Sequence, residues 1–264
     1  MFGDDLHNSA EALLTATRPD IEDLAAQLSK LTPSQREWVS AVIRQFKLPS
    51  QSWRLENSDV ITPVVLGMLG DALRIHHAFS RQALSKDRFE FALERALTRG
   101  GIPAELALSR TNRGHDITIN NVPTSLKTEA ASNIKEDYLH ISKFMELGRG
   151  DWDLEKLRKL FFEHMKGYDR IFQFRCLGQG PAHYKYELVE IPKELLSRAA
   201  DFPLEVCVDS RQNPQPGYCH VTDPAGECFA LYFDGGTERK LQIKSIRKSL
   251  CVVHATWTFD SAVL

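Results

Sequence analysis

No stretch of the 264-residue chain approaches the roughly 20 consecutive apolar residues that a membrane-spanning helix needs. The N-terminus, MFGDDLHNSAEALL, carries acids where a secretory signal carries positive charge. These two absences predict a cytoplasmic protein with no membrane association. Cysteine is scarce: Cys176, Cys207, Cys219, Cys228 and Cys251 form no CxxC pair and are odd in number, which argues against a disulfide framework. The spacings of Cys207, Cys219, His220 and Cys228 match no standard zinc pattern, so reduced, mostly buried thiols are the expectation. A strong net charge is lacking too, the sum being −2. That sum neither requires nor excludes a nucleic-acid partner, because the distribution of charge decides. The distribution is uneven: ERKLQIKSIRKS, from Glu238 to Ser249, holds five basic residues and one acid. Internal repeats and low-complexity tracts are absent.

A hydrophobic fraction of 42% supplies a core. The first 100 residues read as helices. PDIEDLAAQLSKL places Ile21, Leu24, Ala25 and Leu28 on one face. Thr32 caps TPSQREWVSAVIRQF, with Pro33 at its first position. KLPSQSW reads as a loop, and VITPVVLGMLGDALRIHHAF as a buried helix whose His76 and His77 are expected to be satisfied interior or interface groups. Ser85 starts SKDRFEFALERALTRGG, which Gly100 and Gly101 end. From about Ala104 the pattern changes to strands: AELALSR, DITI and TSLKTEA. SNIKEDYLHISKFMELG then reads as a helix with Ile134, Tyr138, Ile141 and Met145 inward, and DWDLEKLRKLFFEHMKGY as a second. DRIFQFRCL and HYKYELVEI form a hairpin around GQGPAH, and IPKELLSRA is a short helix. The remainder, from Leu204 to Phe259, is β-rich, and Trp257 and Phe259 have the spacing of a core strand. The pattern predicts an α/β or α+β protein, residues 1–84 a helical region and residues 85–264 a mixed central sheet flanked by helices; the nuclease resemblance described below implies packing, dimerisation or DNA contact for the first and catalysis and DNA recognition for the second.

The chemistry concentrates in HDITINNVPTSLKTEA, from His115 to Ala130. On a strand, residues i and i+2 share a face, so Ser125, Lys127 and Glu129 point the same way. If DITI and TSLKTEA pair around NNVP, Asp116 lies beside that row. Carboxylates there suit Mg²⁺, a hard ion that takes one or two of them with waters and phosphate oxygens. The lysine can orient or activate the attacking water, so the group suits phosphodiester hydrolysis. A Lys–Glu pair on a strand, taken alone, is ordinary solvated surface.

An aspartate on one strand, then (D/E)xK on the next, resembles the core of the PD-(D/E)xK nucleases. SLKTEAASNIKEDYLHISKFMELG, YKYELVEIPKELL and ERKLQIKSIRKSLCVVHATWTF are similar, in that order, to segments of type II restriction endonucleases, over roughly residues 85 to 260. The resemblance implies the restriction-endonuclease-like fold, Mg²⁺-dependent cleavage of double-stranded DNA at a specific sequence, a homodimer, and a cognate DNA methyltransferase protecting the host. It implies that Asp116 and Lys127 are catalytic, with Asp116 on the metal. Two departures stand out. His115 replaces the usual proline, and Ser125 stands where the family normally has a carboxylate. Glu129, on the same face, is favoured to replace it; Glu136, on the helix expected to follow, is the alternative. A further metal ligand is expected from the helix before the first strand, at Glu94 or Glu90. The DNA-reading candidates lie in the later half. Gln173 and Arg175 share a strand face, the loop SRQNPQPGY offers Arg211, Gln212 and Asn213, and KLQIKSIRK alternates Lys240, Gln242 and Lys244 with Leu241, Ile243 and Ser245. Because Ser125 departs from the pattern, a non-catalytic DNA-binding protein of the same fold is the competing reading, and a structure-specific repair nuclease a third.

Overall fold

The computed structural model of the chain describes residues 20–107, 114–131, 133–179 and 183–262. The acidic N-terminal stretch, the end of AELALSR and the tip of the GQGPAH turn lie outside them. The elements in order are α1 (Ile21–Ser29), α2 (Pro33–Lys47), β1 (Ser50–Arg54), α3 (Pro63–His77), α4 (Lys86–Arg99), β2 (Ala104–Leu106), β3 (Ile117–Ile119), β4 (Val122–Glu129), β5 (Tyr138–Glu146), α5 (Leu154–Met165), β6 (Arg170–Gln179), β7 (His183–Glu190), α6 (Lys193–Ser197), β8 (Glu205–Val206), β9 (Gly217–Asp223), β10 (Gly226–Asp234), β11 (Lys240–Arg247) and β12 (Val252–Asp260). Helix starts follow their caps. Thr32 and Gln35 form a capping box on α2, Thr62 accepts from the Val65 amide on α3, and Asp153 accepts from the Lys156 amide on α5. No helix among the described residues is long and apolar enough to cross a membrane.

The strands make two sheets. The central one has the order β1-β12-β7-β6-β4-β3-β2 and is mixed, because β4 runs parallel to β6 while its other neighbours are antiparallel. A parallel pair needs a crossover, and here β5 and α5 supply it. The second sheet has the order β5-β11-β10-β9-β8. The alternation of β4 and β6 divides the apolar residues between the two faces of the central sheet. Leu126, Phe172 and Phe174 join Val65, Leu69 and Leu73 of α3 and Phe89 and Leu93 of α4 in one core. Ile171 and Val189 join Leu157, Phe161 and Met165 of α5 and the inner face of the second sheet in the other. The fold is thus α+β with helices packed on a mixed sheet, as the sequence pattern predicts.

Two local expectations need correction. KLPSQSW is not a loop: its Ser50–Arg54 segment is β1, the edge strand that pairs with β12. Val65, Leu69 and Leu73 of α3 share the first core with Phe89 and Leu93 of α4, and β1 borders β12. The largest difference is β5, read as a helix but folded as a strand against β11. Its inward residues are Leu139, Ile141 and Phe144, while Tyr138 is exposed. The pairing shifts between Leu241 opposite Met145 and Ile243 opposite Ile141, so β5 carries extra residues there. Such a bulge turns a spacing of two into a spacing of three, which reads as helical in the bare sequence.

Candidate active site

The turn between β3 and β4 is made by Asn120 and Asn121, at φ 49° and 64°. Two successive positive-φ residues give the twist that a tight hairpin needs, and asparagine tolerates that conformation better than most residues. The register that results puts Ile117 opposite Thr124, and the Asp116 amide donates to the Thr124 carbonyl at 3.0 Å. Asp116 therefore sits one residue before β3 with its carboxylate over β4. One oxygen accepts from the Leu126 amide at 2.6 Å and from the Ser125 hydroxyl at 3.2 Å. The other accepts from the Lys86 ammonium at 2.7 Å. Lys86, in the first turn of α4, also pairs with Glu90 at 3.2 Å, one turn along the same helix.

Charge and burial shape this group together. Burial works against ionisation of Asp116, but the Lys127 and Lys86 cations and the Leu126 amide outweigh it and hold the carboxyl below its ordinary range. Burial raises the Glu90 carboxyl, and Lys86 opposes the rise. Lys127 points from β4 into the second core, where burial brings its amine down to about 8 against the pull of Asp116. Its ammonium lies 5.5 Å from the centre of the Phe144 ring of β5. Lys127 is thus half-buried beside Phe144.

The other candidates of the carboxylate row separate from it. Glu129 accepts from Arg175 Nε at 2.8 Å and from Gln173 Nε2 at 3.2 Å. Glu136 lies on a turn before β5, since the expected helix does not form, and pairs with Lys185 of β7. Glu94 accepts from the Leu106 amide at 2.9 Å, which ties α4 to β2. Ser125 is buried and serves Asp116 as a donor. Of the glutamates considered, Glu90 is the one that shares a cation with Asp116. Lys86 escaped the sequence reading, although its i, i+4 spacing from Glu90 on a helix was available as a signal.

The DNA-reading candidates divide likewise. Gln173 and Arg175 are fully buried. Arg175 bonds Glu187 as well as Glu129, and donates to the Lys135 and Tyr138 carbonyls, each at 2.7 Å. A guanidinium so occupied, with no exposed surface, is unavailable to a DNA groove, and Gln173 is committed to the His140 carbonyl at 2.8 Å. On β11, Lys240 pairs with Glu238 at 2.8 Å and Gln242 donates to Asp234 at 3.0 Å. Lys244 donates to the Tyr218 hydroxyl at 3.0 Å and lies 3.5 Å from the centre of the Tyr232 ring. The expected inward Ser245 is instead exposed at φ 53°, and a register shift brings Ile246 into the core in its place. Arg211, Gln212 and Asn213 stay on an exposed loop. Gln212 and Asn213 line an open cavity of about 590 Å³ with Arg149, Thr237 and Arg239.

Zinc has no gathered ligands: Cys219 and Cys228 are buried, His220 bonds Glu227 at 2.7 Å, and among the described residues no three His, Cys, Asp or Glu side chains group as a metal site. His77 is a satisfied core histidine, bonded to the Tyr186 hydroxyl at 2.7 Å and the Ser80 carbonyl at 2.8 Å.

Comparison with known proteins adds a second line of observation. The sequence pattern of the SmaI family, described as type II site-specific deoxyribonuclease, matches residues 24–259. The type II restriction enzyme SmaI of Serratia marcescens is 43% identical over 231 residues, covering 87% of this chain and 93% of that protein. No solved structure matches.

Proposed function

The chain belongs to the SmaI family of type II site-specific deoxyribonucleases, and from that premise we propose that Asp116, Glu90 and Lys127 hydrolyse the phosphodiester with Mg²⁺ held between the two carboxylates. As a family member it is a restriction endonuclease that cuts DNA at a specific sequence. The observation that carries the site assignment is the Lys86 ammonium, 2.7 Å from Asp116 and 3.2 Å from Glu90: two carboxylates converge on one cation. A pair suits Mg²⁺, which completes its shell with water and phosphate oxygens. Bound there, Mg²⁺ supplies Lewis-acid charge that stabilises the phosphoryl oxygens in the transition state.

The protein's own groups do the rest. The Ser125 hydroxyl and the Leu126 amide fix the orientation of Asp116, as outer hydrogen bonds do for metal-binding carboxylates. Lys127, with its amine near 8, exists in part as the free base at neutral pH and can take a proton from the attacking water. The centre of the Phe144 ring lies 5.5 Å from the ammonium, close enough for a cation–π contact. Cutting both strands of a duplex calls for two such sites, so we propose a homodimer whose two-fold axis matches a symmetric DNA sequence. A cognate methyltransferase would protect host DNA in the cytoplasm, where the enzyme acts. Arg211, Gln212, Asn213 and the cavity that the last two border are the favoured base-reading surface, with Gln242 and Lys244 of β11 as further candidates.

Plasmid digestion with and without Mg²⁺, combined with calorimetric Mg²⁺ titration, tests the assignment. Asp116→Asn and Glu90→Gln should lose both discrete fragments and Mg²⁺ binding, whereas Lys127→Met should lose cleavage and keep metal binding. Glu129→Gln should keep the metal. Loss of Mg²⁺ binding in Glu129→Gln, beside a Glu90→Gln protein that binds normally, would return the second ligand to β4.

A further inference from the structure

The open cavity that Gln212 and Asn213 border is built by three separate segments: the β5–α5 connection at Arg149, the loop before β9, and the β10–β11 turn from Gly235 to Arg239. Contacts fix the three to one another. A Cβ on Gly235 would meet the Pro214 carbonyl oxygen at 2.0 Å, so the loop seats directly on the turn and only glycine allows it. Trp152 Nε1 donates to the Gln215 carbonyl at 2.7 Å, which ties the loop to the β5–α5 connection. The Arg239 amide donates to the Gly236 carbonyl at 3.0 Å, and the Leu147 amide to the Arg239 carbonyl at 2.8 Å, which closes the turn against the end of β5.

The side chains that line this cavity are rich in donors. They are the guanidiniums of Arg149 and Arg239, the amides of Gln212 and Asn213 and the Thr237 hydroxyl, and among the described residues no carboxylate lines it. The acids nearby are occupied: Glu238 pairs with Lys240 at 2.8 Å, and Asp234 accepts from the Gly236 amide and from Gln242, each at 3.0 Å. Arg239 is held ready for a ligand. Its guanidinium lies 5.6 Å from the centre of the Trp152 ring and donates through one nitrogen to the Gly150 carbonyl at 3.2 Å. These contacts orient the planar fork, and it forms no ion pair among the described residues. Its backbone stands at φ 41°, a conformation that glycine or asparagine adopts more easily. Arg149 is exposed and has no side-chain partner among the described residues. One strand joins this cavity to the catalytic group. Phe144 of β5 packs against the Lys127 ammonium, and Leu147 bonds Arg239. Three strand residues rise about 10 Å, close to the length of three base pairs.

Resting on the reading of this cavity as the base-reading surface, we propose that Arg239 is a specificity-determining residue that donates through its guanidinium fork to the N7 and O6 acceptors of a guanine within a few base pairs of the cut, while Arg149 holds a neighbouring phosphate. A planar fork matches that pair of acceptors, and a guanidinium already oriented by Trp152 and Gly150 loses less freedom on binding. An exposed cation without a partner supplies charge alone, which suits a phosphate of any sequence.

Binding of fluorescently labelled duplexes, with Ca²⁺ in place of Mg²⁺ to withhold cleavage, tests this. One duplex carries the cut site, placed by sequencing the fragment ends of a plasmid digest, and the other carries the same bases scrambled. Arg239→Met keeps the aliphatic stem over Trp152 and removes the fork. It should bind the cut-site duplex roughly 10- to 100-fold more weakly, the loss expected of one bidentate base contact. Its binding to the scrambled duplex should change far less, and its melting temperature should hold. Arg239→Gln carries the same expectation and guards against a fold defect in the first variant. Replacing the guanines of the site one at a time by 7-deazaguanine removes N7 and keeps the base pair. At one position this should weaken wild-type binding and cost Arg239→Met nothing further, the non-additivity of a direct contact. Arg149→Ala should weaken both duplexes alike and lower the slope of log affinity against log salt by about one. The proposal is overturned if the Arg239 variants bind the cut site like the wild type, if they lose affinity equally on both duplexes, or if no guanine replacement separates them from the wild type. An Arg149→Ala loss confined to the cut-site duplex overturns the phosphate role. Gln212→Ala and Asn213→Ala, run alongside, keep the two readings apart. Lost discrimination in either, beside full discrimination in Arg239→Met, removes the arginine alone. Full discrimination in all three removes the cavity from DNA reading and this inference with it.

Discussion

Lys86 is the residue on which the metal-free site turns. Its ammonium neutralises two carboxylates that would otherwise face each other, and it stands where a divalent cation would compete for them. Replacing it by methionine keeps the length of the side chain and removes the charge. Metal-free Lys86→Met should melt at a lower temperature than the wild type, because Asp116 and Glu90 then repel. Mg²⁺ should bind it on the order of tenfold more tightly, the size of one lost competing charge at a partly exposed site. Melting curves with and without Mg²⁺ check both, and a variant that Mg²⁺ stabilises no more than the wild type would show that Lys86 does not compete. At this scale the sequence was informative where chemistry and alternation coincide. Asp116 and Lys127 come together through a hairpin whose Asn120–Asn121 turn and period-two strands are both readable. Glu129 shares their face too, but a shared face does not name a partner. Arg175, 46 residues later, takes Glu129, and no local pattern announces that contact.

Among elements, β5 is the one whose sequence misleads, and Arg175 is what holds its start in place. The guanidinium bonds the Lys135 and Tyr138 carbonyls on the way into the strand, and pairs with Glu129 and Glu187 on either side of β6. These carbonyls have no helix to bond within, so a buried cation satisfies them. Arg175→Met should therefore destabilise the protein by about 3–5 kcal/mol, because two buried carboxylates lose their shared partner and the entry carbonyls lose their donor. Lys248, 3.2 Å from Glu187, compensates one of them in part and sets the loss toward the lower figure. Chemical denaturation measures it. A variant of wild-type stability that binds DNA weakly would restore Arg175 to the reading surface. The helices were legible because their caps are local: Thr32 with Gln35, Thr62 and Asp153 each announce a start. The bulged strands were not, because a bulge at β5 mimics helical spacing and another at Ser245 exchanges the inward residue of β11.

Across the whole molecule, the order of helices and strands predicted a mixed-sheet α+β protein, and the seven-stranded mixed sheet with its packed helices agrees with it. β1 completes the sheet next to a strand some 200 residues later, and no local signal reveals such a pairing. A charged network joins the same distant parts. Arg170 at the start of β6 bonds Glu190 at the end of β7 through two nitrogens, both at 2.7 Å, and Asp59 at 2.5 Å. His254 of β12 bonds Glu190 at 2.9 Å and Ser58 at 2.8 Å. Burial disfavours the Glu190 charge, but the Arg170 and His254 hydrogen bonds outweigh it and lower the carboxyl from 4.5 to about 2. A carboxyl lowered on folding adds stability above its unfolded value and loses it as pH falls through the folded one. At about 1.4 kcal/mol per unit of pH the full contribution is about 3 kcal/mol, and solvent screening of a partly exposed pair reduces it to about 2 kcal/mol. Glu190→Gln, which cannot ionise, should therefore be less stable than the wild type by about that reduced amount at neutral pH. The difference should begin to shrink below pH 4.5, as the unfolded wild type takes up a proton, and should close near pH 2. Comparing urea denaturation of the two proteins across that range isolates this group from the other carboxylates, which titrate in both. A difference that stays constant down to pH 2 would mean that Arg170 and His254 support the glutamine as well as the carboxylate, and that the link between the N-terminal segment and the sheet depends on shape and not on charge.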